Sequence, residues 1–239
     1  MSGLSINGLK TELGLLANPE KAKFLAGFFK TGKGQYAEGD MFLGITVPQT
    51  RQVAGKYSSL ALSDIKKLLK SKIHEHRLIA LLVLVQQFNR ADENQKVKII
   101  DFYLASTKRI NNWDLVDLSA DKILGEYLYQ APSKERKILR KLAKSKNLWE
   151  RRIAVLSTFA FIKRNEFDDA LEISKMLLED PHDLIHKAVG WMLREIGKRN
   201  LAVEEKFLKK HCGKMPRTML RYAIEKFPEK KRQLYLKRN

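Results

Sequence analysis

The sequence predicts an all-α protein, a curved α-α solenoid of HEAT-like helical repeats, and three observations lead to that fold class. Glycine (13) and proline (6) are scarce among 239 residues, too few for the many turns of a sandwich or barrel. Helix-start signals recur along the chain. Similar apolar helices also return at regular intervals, as stacked helical pairs require. Hydrophobic residues at 44% and charged residues at 31% are a folded-protein balance. A chain of this length can form a single repeat domain over 1–239.

The elements follow in order. Asn18-Pro19-Glu20 reads as an N-cap, a proline at the first helical position and an acid in the first turn. Asp180-Pro181 repeats that signal, and Ser63-Asp64 offers another start. Helices are expected over about 5–15, 19–31, 48–58, 63–70, 75–89, 93–106, 112–129, 134–145, 148–163, 167–179, 182–198, 201–211, 216–226 and 228–236. The apolar run Leu78 to Val85 could be a buried strand, but its polar flanks favour a longer buried helix. Leu78-Ile79-Ala80-Leu81 returns as Arg152-Ile153-Ala154-Val155 at an offset of 74, and again as His186-Lys187-Ala188-Val189 after a further 34. Trp113, Trp149 and Trp191 follow the same rough spacing.

Charge points to the partner. Lys+Arg 46 against Asp+Glu 27 gives a net +19, and such an excess attracts polyanions by releasing their condensed counterions. From Lys206 to Asn239 there are 12 Lys+Arg and 2 Asp+Glu, a net +10. That stretch reads equally as a solvated pair of terminal helices. A curved basic face suits a duplex. One cysteine, Cys212, excludes an internal disulfide and fits a reducing compartment. Met1 to Lys10 lacks a charged segment followed by an apolar core, and the longest apolar stretch is too short to span a bilayer. A cytoplasmic protein, associated with the nucleoid when bound to DNA, is expected.

Polar residues on the apolar stripes carry more information. Over 112–129 one stripe reads Trp113, Val116, Asp117, Ala120, Leu124 and Tyr127, so a carboxylate interrupts an apolar face one turn after a tryptophan. A buried carboxylate needs a compensating partner. A structural cap or ion pair satisfies this as well as a catalytic role does. Over 148–163, Arg152 shares a stripe with Trp149, Leu156 and Phe159, fitting either a buried Arg–Asp pair or a phosphate contact at a groove rim. Over 182–198, Lys187, Trp191, Arg194 and Lys198 lie on one face, opposite a core stripe of Ile185, Ala188, Met192 and Ile196. A tryptophan among three cations marks that face as the best candidate nucleic-acid surface.

Other chemistry is thin. Gly32-Lys33-Gly34-Gln35-Tyr36 lacks the Gly-Lys-Ser/Thr ending of a phosphate loop. His74, His76, His182, His186 and His211 show neither partner cysteines nor HExxH spacing, so no metal or other cofactor is expected.

Four segments resemble one family. Phe42-Leu43-Gly44-Ile45-Thr46-Val47-Pro48 is similar to the Phe-Leu-Gly-Ile-x-x-Pro element of the AlkD family of DNA alkylation-repair glycosylases. Trp113-Asp114-Leu115-Val116-Asp117 resembles its Trp-Asp-x-Val-Asp, and Asn147-Leu148-Trp149-Glu150-Arg151-Arg152 its Asn-x-Trp-x-x-Arg. Lys187-Ala188-Val189-Gly190-Trp191-Met192-Leu193-Arg194-Glu195 resembles its Lys-Ala-x-Gly-Trp-x-Leu-Arg-Glu. The segments keep the family's order, and the resemblance spans roughly 18–200.

The resemblance implies a concave basic groove holding DNA and excision of N3- or N7-alkylated purines without metal or redox cofactor. It implies Asp117 as catalytic carboxylate, Trp113 and Trp191 as paired groove tryptophans, and Arg152 as a phosphate contact. Arg194, Lys187, Lys198 and Thr46 are further candidate DNA contacts. Phe28 occupies an aromatic groove position where a tyrosine would add a hydroxyl, and the glycine-rich loop before Phe42 is longer than the shortest relatives need. A monomeric, monofunctional glycosylase acting on duplex DNA in base excision repair is the leading expectation. A non-catalytic DNA-structure binder and a protein-binding scaffold share the same fold and charge.

Overall fold

The computed structural model describes residues 5–237. Met1 to Leu4, read above for a leader, and the last two residues of the basic C-terminal stretch lie outside them. The fold is all-α, as the sequence predicts; among the described residues the β structure amounts to an isolated bridge between Met41 and Ile73. The chain divides into two compact units, Met1–Ser119 and Ala120–Asn239.

The first unit contains α1 (Ile6–Leu15), α2 (Pro19–Phe28), α3 (Val47–Lys56), α4 (Leu62–Leu69), α5 (His74–Arg90), α6 (Glu93–Ala105) and α7 (Trp113–Ser119). Local chemistry sets the boundaries. Asn18 caps α2 by accepting from the Lys21 amide at 2.9 Å, with Pro19 where its missing N–H costs nothing. Thr46 with Gln49 and Asp92 with Gln95 form reciprocal capping boxes on α3 and α6. The run Leu78 to Val85 is helical and buried on all sides, because α5 is the hub against which α3, α4 and α7 pack.

A loop from Asp40 to Thr46 leads into α3, and Gly44 is its tightest point. Its φ of +81° suits glycine, and a Cβ there would lie 2.1 Å from the Asn18 carbonyl oxygen. The buried Glu75 carboxylate, from the first turn of α5, accepts from the amides of Leu43 (2.9 Å), Gly44 (2.8 Å) and Ile45 (3.3 Å). Three backbone donors that no helix or sheet could satisfy are thus paired.

The second unit opens with a π-helical turn, Asp121–Gly125, followed by α8 (Glu126–Gln130). The helix expected over 112–129 is therefore realised as an α, a π and an α segment. Gly125 explains the wide turn's packing, since a Cβ there would lie 2.4 Å from the Ser157 carbonyl oxygen. Then follow α9 (Lys137–Ala143), α10 (Leu148–Ser157), α11 (Phe159–Ile162), α12 (Asp168–Met176), α13 (Asp183–Gly197), α14 (Leu201–His211), α15 (Arg217–Ala223) and α16 (Glu229–Lys237). The helix expected over 148–163 is split at Thr158, whose hydroxyl donates to the Val155 carbonyl at 2.7 Å. The central α13 packs on α10, α14 and α15. Ile185, Ala188, Met192 and Ile196 form its fully buried stripe, as their spacing predicts. At Gly190 a Cβ would lie 2.4 Å from the Met219 carbonyl oxygen and 2.5 Å from Tyr222 Cβ, so its absence allows α15 its close approach.

Candidate functional site

In the first unit the candidate residues converge on an aromatic stack. Trp113 begins α7 and is partly exposed. Its indole lies on Phe29 (centroids 5.2 Å, interplanar 14°) and meets Phe28 edge-on at 6.1 Å. Phe29 stacks in turn on Phe42 at 5.1 Å and tilts against His74 at 5.0 Å. Phe28 is 56% exposed, and Phe24, one turn earlier and stacked on it, is 69% exposed. The helix α2 buries none of its residues, so it presents these rings to solvent. Asp117, one turn after Trp113, is partly exposed. The Thr46 hydroxyl is engaged in the capping box of α3, donating to Gln49 Oε1 at 2.6 Å.

Beneath the stack lies a buried charge cluster. His74 Nε2 is 2.8 Å from Asp114 Oδ2, and its Nδ1 is 3.7 Å from Asp40 Oδ2. Asp40 also accepts from the buried Arg77 guanidinium. Burial alone would lower the His74 pKa, but the Asp114 carboxylate, helped by Asp40, raises it to about 9 despite Arg77. His74 is therefore an imidazolium at neutral pH. His76, two residues on, has no such partner and is held down to about 4, by burial and then by Lys10 and Arg77.

In the second unit, Trp191 is partly exposed on α13 and lies 6.0 Å from Phe159. Lys163 sits over the Phe159 ring at 5.0 Å and Arg199 at 6.0 Å. The indole Nε1 donates to Glu195 Oε1 at 3.3 Å. Burial by itself would raise the Glu195 pKa, but Lys198, Trp191 and Arg199 hold it below the usual carboxylate range. The cationic face carries internal partners: Lys187 with Asp183 (3.0 Å), Lys198 with Glu195 (2.6 Å), and Arg194 with Glu225. The Lys187–Asp183 pair, exposed on both sides, contributes only about 0.2–1 kcal/mol. Arg152 differs. It is only 4% exposed and donates to the Leu184 carbonyl at 2.5 Å.

A family model described as DNA alkylation repair enzyme matches residues 9–227. The chain belongs to the DNA alkylation repair enzyme family. Membership makes it a DNA repair enzyme with DNA as its substrate class. Two solved structures share its fold. One, described as a predicted DNA alkylation repair enzyme from Enterococcus faecalis, is 18% identical with a TM-score of 0.71, over 89% of this chain and 97% of that one. The other, smu.31 from Streptococcus mutans, is 19% identical with a TM-score of 0.53, over 91% and 96%. No curated protein matches the chain.

For this DNA alkylation repair family member, the sequence segments that carried the resemblance acquire distinct physical roles. The loop element holding Gly44 is a tight turn pinned by Glu75, and the segment opening α7 supplies both Trp113 and the partner of His74. Sequence reasoning passed over His74, Glu75 and Asp40 as site components. The only trace was the polar run His74-Glu75-His76-Arg77 opening an apolar helix; the partners lie 30 to 40 residues away. Glu195 stood inside a quoted motif, one turn after Trp191, and could have been found from that spacing. Among the described residues no group of three or more His, Cys, Asp or Glu side chains could hold a metal ion, and no helix is long and apolar enough to cross a membrane.

Proposed function

We propose that the chain is a monofunctional DNA glycosylase that hydrolyses the N-glycosidic bond of N3- and N7-alkylated purines in duplex DNA. The observation that carries this reading is the state of the two tryptophans that the family resemblance singles out. Both are partly open to solvent, yet Trp113 is backed by Phe28 and Phe29, and Trp191 by Phe159 and the Glu195 carboxylate. Core tryptophans are covered, as Trp149 is.

In this reading the chain acts on duplex DNA as a monomer. Alkylation at N3 or N7 gives the purine a positive charge and weakens the bond to C1′. As the base leaves, it takes the bonding pair, and the sugar gains oxocarbenium character. The Asp117 carboxylate stabilises that charge and directs a water to C1′, accepting its proton. The ring faces of Trp113 and Trp191 attract such a charge, each contributing about 0.5–2 kcal/mol toward a desolvated cation. Arg194, Lys187 and Lys198 engage the backbone, with Phe28 at the edge of the site, while the buried Arg152 supports α13 through the Leu184 carbonyl. The base stays unflipped, as the family resemblance implies.

The test is release of 7-methylguanine and 3-methyladenine from methylated duplex DNA by the wild type and by Asp117→Asn. Release by the wild type with a loss of about 100-fold or more in the variant, duplex affinity being retained, supports the reading. Undiminished release by the variant removes Asp117 from the chemistry. Binding without release by either protein makes this relative a DNA-structure binder. Indifference to duplex at low salt favours a scaffold.

A further inference from the structure

We propose that His74 is a positioning residue for Trp113, holding the indole through Phe29 on one side and through Asp114 in the first turn of α7 on the other. The proposal rests on Trp113 belonging to the site, but its central measurement does not require catalysis.

Two contact paths connect His74 with the indole. In the first, His74 Nε2 meets Asp114 Oδ2 at 2.8 Å, while Asp114 Oδ1 accepts from the Leu115 amide at 2.8 Å. The neighbouring Trp113 amide donates to Asn112 Oδ1 at 2.8 Å, so the start of α7 is held by side-chain acceptors where intrahelical ones are missing. In the second, the His74 ring stacks on Phe42 (4.7 Å, 21°) and lies 5.0 Å from Phe29, which carries the indole at 5.2 Å. A cation at His74 is attracted to the faces of both phenylalanines as well as to Asp114.

Among the described residues, three charged groups act on His74. Asp114 comes from α7, Asp40 from the loop ahead of Met41, and Arg77 from the next turn of α5; α2 contributes only the ring following it. The two carboxylates outweigh the guanidinium, so His74 keeps its proton well past neutrality, losing it around pH 9. Deprotonation weakens both paths at once. A buried histidine of merely structural value would leave the indole unmoved when it titrates.

The experiment uses the full chain labelled with 5-fluorotryptophan. Fluorine NMR assigns the three resonances by Trp→Phe substitution, and His74 is followed through its imidazole proton signals. The Trp113 resonance is expected to shift with the His74 midpoint near pH 9, and to stay flat over that range in His74→Gln. In Asp114→Asn, which keeps the ring stack, the midpoint should move toward neutrality. In single-turnover base release, His74→Gln should lower the chemical rate about tenfold without weakening duplex affinity, as expected when a contacting group is misplaced. A Trp113 resonance indifferent to the His74 titration overturns the proposal, as does release by His74→Gln at the wild-type rate. If His74→Gln fails to fold, the wild-type titration still decides. If the wild type releases no base, the glycosylase reading falls while the fluorine titration judges His74 independently.

Discussion

The buried carboxyl of Glu204 makes the stability of the second unit depend on pH in a direction that can be worked out. Glu204 stands in the first turn of α14, 1% exposed, with its carboxyl pressed on Gly197; a Cβ at Gly197 would lie 1.6 Å from Oε2. Burial, reinforced by Glu205, raises its pKa from 4.5 to about 8, against smaller opposing effects of Arg194 and Lys231. The folded state thus keeps a proton that the unfolded chain releases. The resulting stabilisation is complete below pH 4.5, falls as pH rises, and is gone above pH 8. A difference of that size corresponds to about 5 kcal/mol across the window. The perturbation is Glu204→Gln, which keeps the shape and cannot ionise. Urea unfolding, followed by Trp149 and Trp191 fluorescence, should be measured for both proteins from pH 4.5 to 9. The variant should gain stability over the wild type steadily with pH, by several kcal/mol, since His74 and His76 titrate equally in both and cancel. A stability difference that stays constant across the window would refute the reasoning.

Three further outcomes are expected. Gly190→Ala should destabilise the second unit by about 1–3 kcal/mol in urea unfolding, because the new Cβ meets the Met219 carbonyl on a packed helix that must move. Glu75→Gln should cost about 1–3 kcal/mol and raise hydrogen exchange at Leu43 and Gly44, since an amide presents one acceptor where two oxygens now serve three N–H groups. If Lys187 contacts a phosphate, Lys187→Ala should reduce the slope of log affinity against log salt by about 0.9 for duplex DNA of any sequence; an unchanged slope places that lysine outside the interface.

Much of this molecule is set by signals within four or five residues. The cap at Asn18 and the buried stripe of α13 need only neighbours along one helix, so they could be read from the sequence, whereas the starts expected at Ser63 and Asp180 fall at Ala61 and His182. The same holds for Trp191 and its cations, which share a face because helical geometry places them there. The segments around Gly44, Trp113, Trp149 and Trp191 were legible as a pattern, and that pattern pointed to the family.

What tertiary structure decided is the environment of those residues. Arg152, which the sequence left open between a buried pair and a phosphate contact, is buried and donates to the Leu184 carbonyl, 32 positions along the chain. Thr46 was a candidate DNA contact, yet its hydroxyl is spent on its own helix end. His74 looked like an unremarkable histidine, and only folding brings Asp40 and Asp114 to its two nitrogens and turns it into a buried cation. Glu75 and Glu204 are both acids in the first turn of a helix. Glu75 meets three backbone amides some 30 positions away, a partnership only folding creates, whereas Glu204 is buried against Gly197 beside the adjacent Glu205. A side chain's protonation and accessibility are set by what surrounds it in three dimensions, and the linear pattern specifies only which face it will occupy.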